Sequence, residues 1–388
     1  MARTRGMIRN YSEDLRIVRW PTGFVVVAVL VLLYLFVPRS LDDNWANVFV
    51  IAGYTAIGAI GLNLLTGYTG LPSLGTAGFI CVGAFASSYL GRDSYYGGLD
   101  WNFWAYVGVT VLIGGLIGFV VGLPALRLRG VYLSIATLAI VFVTVYAINV
   151  WTPVSGGNSG VAMAGAVSPT NINSPKLPIF SFLGINWDFT NLHVFGRSLG
   201  RSQSLIYLIW GFVVVVAILC NNLVRSRPGR ALQAIRDRDV AAAVVGVSLF
   251  RYKVGVFVIS SAIATLAGIF FGIYLQTSTA DSGTYNLNLS ILFLAVVIIG
   301  GIGTSYGPIL GAILVAAIPS KIVPFLEHSA ALSWAFGKGG FSEGDFAALL
   351  YALGIILFLI VGAYTKTDGL VGIARRIGGY LRAWPLAR

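Results

Sequence analysis

Ten stretches of this chain are apolar, nearly free of charge, and of the length that a bilayer demands or close to it. They are residues 22–37, 45–65, 72–90, 103–125, 131–151, 204–224, 254–276, 289–300, 306–323 and 346–364. A membrane-spanning helix needs roughly 20 mostly apolar residues. In lipid it must be a helix or a closed barrel, because every backbone polar group has to be satisfied within the protein. Only 10% of the 388 residues are charged, against about 25% in soluble domains. The spacing predicts an all-α, polytopic integral membrane protein of about ten transmembrane helices, within a range of 8–10. The eighth stretch is short and runs into the ninth through Gly300, Gly301 and Gly303. That pair is either two crossings or one broken helix.

Charge placement sets the expected topology. With the N-terminus inside, inner segments hold 19 of the 26 Lys and Arg, and outer segments hold seven: Arg39, Arg92, Lys176, Arg197, Arg201, Lys321 and Lys338. This is the positive-inside bias, and it predicts both termini in the cytoplasm. The net charge of +12 is then a consequence of topology and of attraction to anionic membrane lipid, and gives no reason to expect a nucleic-acid partner. The expected organisation is a cytoplasmic segment 1–21, one transmembrane domain 22–364 and a basic cytoplasmic tail 365–388. Within the domain lie an outer loop 152–203 and a charged inner loop 225–253. The basic-then-apolar start lacks a small-residue cleavage site and reads as an uncleaved first helix. Cys81 and Cys220 sit singly in apolar spans, with neither disulfide nor metal spacing.

All 14 acidic residues and both histidines, His193 and His328, fall outside the spans or at their ends. Ion-coupled carriers and pumps usually hold such a group at membrane depth; carbonyls at broken helices are the other way to bind sodium. No catalytic constellation is evident: there is no HExxH, no paired carboxylate within a span and no Ser beside a base. The glycines at 337–340 lack the spacing of a phosphate loop, and Tyr306 replaces the third glycine of a dinucleotide loop in Gly300–Gly307. Neither an enzyme nor a resident cofactor or metal is expected.

Two regions stand out from the apolar background. Residues 61–79 mix polar and helix-breaking residues, so Gly67, Gly70 and Pro72 are expected to end one helix and begin another, with Pro72 in the new first turn. Asn63, Thr66, Ser73 and Thr76 then either face a pathway or hydrogen-bond between helices. The second region, 226–253, is the one long charged stretch between spans. Ser226 and Pro228 signal a helix start and Gly246 its end. Ala231, Ala234, Ile235, Ala241, Ala242 and Val245 share a stripe of small residues interrupted by Arg238. Such a stripe, flanked by charge, suits docking in a protein groove; an amphipathic helix on the membrane surface is the alternative.

Several motifs in register resemble the permease subunits of branched-chain amino-acid ABC importers. They are Gly61-Leu62-Asn63-Leu64-Leu65-Thr66-Gly67-Tyr68-Thr69-Gly70 with Ser73-Leu74-Gly75; Leu123-Pro124-Ala125-Leu126-Arg127-Leu128-Arg129-Gly130-Val131-Tyr132; Gly156-Gly157 with Gly160; Ser226-Arg227-Pro228-Gly229-Arg230-Ala231 with Ala234-Ile235-Arg236; Val240–Gly246; and Gly300-Gly301-Ile302-Gly303 with Gly307-Pro308. The resemblance implies a prokaryotic inner-membrane subunit working with a second permease, two ATP-binding subunits and an extracytoplasmic solute-binding protein. It implies that the loop between the sixth and seventh helices is the ATPase-coupling segment. Arg230, Arg236, Asp237 and Asp239 would then make polar contacts, and Ala234, Ala241, Ala242 and Gly246 would allow close seating. Val240 stands where importers' loops carry Glu, Thr76 where relatives have His, and Pro72 where they have Gln or Leu. Branched-chain amino acids are the implied solute. Urea or amides, sugars and aromatic acids stay open, as does a stand-alone carrier or channel.

Overall fold

A computed structural model describes residues 42–92, 98–99, 101–125, 130–157, 160–162, 192–194, 197–278 and 283–322, together with scattered positions between 349 and 372. The first apolar stretch, most of the outer loop, the 324–345 segment, most of the tenth stretch and nearly all of the tail lie outside the described residues. The chain divides into Met1–Asp42 and Asp43–Arg388, and every described helix and strand lies in the second unit.

The described residues of that unit are mainly helical. In chain order they form α1 (Asp43–Thr69), α2 (Thr76–Gly91), α3 (Phe103–Ala125), α4 (Val131–Val150), the single turn α5 (Thr152–Ser155), α6 (Arg201–Arg225), α7 (Arg227–Asp237), α8 (Asp239–Val244), α9 (Leu249–Leu275), α10 (Leu287–Gly300) and α11 (Gly307–Ala317), which runs on into a π turn at Ile318–Ile322. Four strands of two or three residues make two small ribbons, Val161–Ala162 with Thr277–Ser278 and Leu192–Val194 with Arg197–Leu199. Among the described residues five helices, α1, α3, α4, α6 and α9, are long and apolar enough to cross a membrane, and α2, α10 and α11 are shorter apolar helices. At 1.5 Å per residue, α2 rises only about 24 Å, less than the ~30 Å hydrocarbon core.

Helix directions can be read from which residues meet. Asn47 meets Ser202 near the start of α1 and α6, and Gly53 meets Ile209 further along, so these two helices run parallel. Tyr54 faces Phe271 and Gly61 faces Ile263, so α9 runs against α1. Trp45 lies under Lys321 while Asn63 bonds Thr304, so α11 also runs against α1.

Glycine allows the closest of these approaches. Gly114, Gly118 and Gly122 lie four apart on α3 and face Thr265, Ser261 and Phe257 of α9, also four apart. A Cβ at Gly114 or Gly118 would overlap the opposing hydroxyl. Small residues at this spacing let two membrane helices pack backbone to backbone. The hydroxyls that remain bond within their own helix, Ser261 to Phe257 O at 2.8 Å and Thr265 to Ser261 O at 2.8 Å. Gly307 backs onto Gly300 and Gly311 onto Val296, so α10 and α11 form an antiparallel hairpin.

The break between α1 and α2 differs from expectation. Helix α1 runs through Gly67 to Thr69, and Pro72 lies in a non-helical stretch, Gly70–Gly75, four residues ahead of α2. That stretch leans on α4: Thr137 Oγ1 accepts from Leu74 N at 2.9 Å, and Ser134 Oγ donates to the Pro72 carbonyl at 3.4 Å. These side chains satisfy backbone that would otherwise be helical, which is how broken segments survive at membrane depth.

Candidate functional site

The charged connector folds as two helices. Ser226 ends α6 and begins α7 with Pro228 in the first turn, as the sequence indicates. The single helix expected from 226 to 246 breaks at Arg238, whose backbone is extended (φ −156°, ψ 107°). Asp239 restarts the chain as the first residue of α8, where a carboxylate suits the helix N-terminus, and accepts from Lys253 Nζ of α9 at 2.7 Å. Gly246, in the left-handed region at φ +90°, turns the chain back towards α9.

The faces of the connector also differ from the predicted stripe. Gly229, Leu232, Ile235 and Ala242 are buried, whereas Ala234, Ala241 and Val245 are exposed. Leu232 and Ile235 bury more apolar area than alanine does, so they take the inner face. Leu232 lies off the alanine stripe, and its i, i+3 spacing to Gly229 and Ile235 is the signal that marks it. Gly229 fits because a Cβ there would run into the Leu223 and Val224 carbonyls as α6 turns into α7. Val240, Val244 and Val245, at 76%, 83% and 84% exposed, stand outward with Arg230, Asp237 and Gly246.

Arg236 joins the connector to the bundle. Its Nη1 donates to the carbonyl of Gly67 at 2.5 Å. Its stem lies over Gly70 (φ +71°), and Nη1 would stand 2.6 Å from a Cβ at Gly303 (φ +75°). Two further links hold the same corner. Asn63 Nδ2 donates to Thr304 O at 2.9 Å while its Oδ1 accepts from Gly303 N at 2.8 Å. Ser305 bridges the Tyr68 hydroxyl and Asn221 of α6, both at 3.2 Å. Position 369 also reaches this corner, since Gly369 backs onto Gly301. Ser305 lies 237 residues from Tyr68 and 84 from Asn221, and no local pattern marks the three.

The four residues considered for a pathway separate into two pairs. Asn63 is 3% exposed and committed to the bonds just described. Thr66 bonds back to Leu62 O of its own helix at 2.8 Å. Ser73 and Thr76 instead line a small pocket with Ser260 and Ser261 of α9, closed by Leu62, Leu65, Phe79 and Phe257. It has room for about one water. Of the eight connector residues, Arg230, Ala234, Arg236, Asp237, Ala241 and Gly246 are exposed. Arg236 and Asp239 bond within the chain, and Ala242 packs inward.

These features define a helical membrane protein with a charged two-helix connector fastened to one end of its bundle. Residues 44–362 match the family described as branched-chain amino acid transport system / permease component, and the chain belongs to that family. It is 31% identical over 312 residues to the high-affinity branched-chain amino acid transport system permease protein LivM of Escherichia coli, covering 78% of this chain and 69% of that one. Against the LivM protein of Salmonella typhimurium it is 32% identical over 280 residues, covering 70% of this chain and 61% of the relative, less than two thirds of its length. The ribose import permease protein RbsC of Escherichia coli is 25% identical over 309 residues, covering 78% and 84%. No solved structure matches the chain significantly.

Proposed function

We propose that this chain is the transmembrane permease subunit of an ATP-binding-cassette importer for branched-chain amino acids. It sits in the inner membrane of a prokaryote, crosses it about ten times and keeps both termini in the cytoplasm. It pairs with a second permease and works with two ATP-binding subunits and an extracytoplasmic solute-binding protein. The hydrolysis of ATP belongs to those partners. The observation that carries this reading is the fastening of the connector to the bundle, in a chain 31% identical to LivM over 312 residues.

The connector is the surface that meets the ATP-binding subunit. Its outward residues, Arg230, Ala234, Asp237, Ala241 and Gly246, make that contact together with Val240, Val244 and Val245. Three bare valines on a charged connector are costly to leave in water, and a partner groove covers them. The inner pair, Ser73 and Thr76, face the solute pathway, and Asn63 and Thr66 hold the helix beside it. The branched-chain solute rests on the LivM likeness, which is stronger than the likeness to the ribose permease.

Affinity purification of this chain from its native membranes tests the assignment. ATP-binding subunits and a second permease should accompany it in stoichiometric amounts. A chain that purifies alone under conditions preserving other membrane complexes would contradict the importer reading.

A further inference from the structure

We infer that Arg236 is the joint through which movement of the connector reaches the solute pathway, an inference that rests on the importer reading above. Helix α1 ends at a left-handed glycine, with Gly70 N donating to Thr66 O at 3.2 Å. This cap leaves later carbonyls of the last turn to find other partners. The Gly67 carbonyl takes the Arg236 guanidinium. A cation there meets the negative end of the α1 dipole as well as a hydrogen-bond acceptor. The cap of a membrane helix is thus supplied by the connector, 169 residues further along the chain.

Two glycines shape the seat. A Cβ at Gly70 would stand 3.3 Å from Arg236 Cγ, and one at Gly303 2.6 Å from Nη1. The arginine therefore touches the end of α1 and the turn of the α10–α11 hairpin at once. Asn63 fixes that turn to α1 through the Gly303 amide and the Thr304 carbonyl. Gly67 permits this closeness, since a Cβ there would stand 2.6 Å from Gly303 N. A shift of α7 moves the end of α1 and the hairpin turn together. From Gly70 the chain continues directly to Ser73 and Thr76, which line the pocket against α9. The route from connector to pocket is therefore one side chain and a six-residue loop, Gly70–Gly75.

Arg236 acts through its neighbours, so it is a positioning residue, and its signature is the ratio of solute moved to ATP spent. The test uses the whole complex purified from native membranes and placed in liposomes. Uptake of radiolabelled leucine, isoleucine and valine is measured beside ATP hydrolysis and subunit stoichiometry. Arg236→Gln removes the cationic cap, and Arg236→Lys keeps a charge able to reach one carbonyl. Arg236→Gln should keep its ATP-binding subunits and hydrolyse ATP within about twofold of wild type, while uptake per ATP falls roughly tenfold, the order expected for one lost charge-assisted bond. Arg236→Lys should recover most of that ratio. An unchanged ratio in Arg236→Gln would overturn the joint. So would loss of the ATP-binding subunits, or an equal fall in hydrolysis and uptake, in both variants, because those mark a residue that only docks or folds. If wild type itself shows no nucleotide-driven uptake, the importer reading fails instead.

Discussion

Asn63 of α1 grips the turn between α10 and α11 with both ends of its amide, donating to Thr304 O at 2.9 Å and accepting from Gly303 N at 2.8 Å. The two residues it joins to α1 are 240 or more positions away in sequence. The bond to Thr304 O is buried and the one from Gly303 N is part-buried, so losing the amide leaves the Thr304 carbonyl without that partner away from water. Asn63→Leu should lower the unfolding free energy in detergent by roughly 2 kcal/mol, two bonds at about 0.6–1.7 kcal/mol each. Thr66→Ala removes only a bond to its own helix and should change stability by less than about 1 kcal/mol. Thermal unfolding of the purified chain compares the two.

The α3–α9 seam makes a sharper demand on size. Gly118→Ala drives a methyl into the Ser261 hydroxyl, and overpacking of this kind costs about 1–3 kcal/mol. Combining it with Ser261→Gly should recover part of the loss, because the two sites are in direct contact. At Gly108 on the same helix a Cβ would meet nothing within 4 Å, so Gly108→Ala should leave the melting temperature unchanged or slightly raised. Equal losses at Gly108 and Gly118 would contradict the packing described.

On α8, neighbouring residues should behave oppositely. Ala241 and Val244 face outward, and Ala242 is buried. Ala241→Arg or Val244→Arg should abolish capture of the ATP-binding subunits while leaving the chain in the membrane at normal abundance. Ala242→Arg should lower abundance, because a charge forced into a packed face destabilises the chain itself. Quantitative blotting beside co-purification separates the two effects. Gly246 is a poorer probe, since its φ of +90° strains any other residue.

The Lys253–Asp239 pair, though short at 2.7 Å, has a carboxylate 39% exposed. Ion pairs of that kind contribute about 0–1 kcal/mol. Asp239→Asn should therefore shift thermal stability by less than about 1 kcal/mol, and added salt should narrow the difference further. Its contribution is to where α8 begins.

The apolar runs made most of the helices legible, because hydrocarbon thickness and backbone satisfaction leave few other readings. The boundaries of α1, α3, α4, α6 and α9 fall within a few residues of those runs. The four-residue spacing of Gly114, Gly118 and Gly122 is visible in the sequence as a small-residue face, but its partners lie on another helix. Pro72 misled because a helix-start signal is local, while the segment after α1 is held extended by Ser134 and Thr137 of α4. The connector's ends were legible at Ser226 and Gly246. Its break at Arg238 was not, because Asp239 owes its position partly to Lys253 on the next helix. Among the proposed site residues, Arg236 stands out in the sequence by its place in a motif. That its guanidinium bonds the Gly67 carbonyl, while the residue stays exposed, depends on contacts no window of sequence contains.

Uptake by reconstituted liposomes tests the central assignment most directly. This chain and the proposed partners (a second permease, ATP-binding subunits and a binding protein) are placed in vesicles with ATP on the ATPase side, and radiolabelled leucine, isoleucine and valine are supplied on the other. The account predicts accumulation against a gradient that stops without ATP or without the binding protein, and inert vesicles when this chain is reconstituted alone. Rapid flux of the same solutes through the lone chain, without nucleotide or partners, would contradict it.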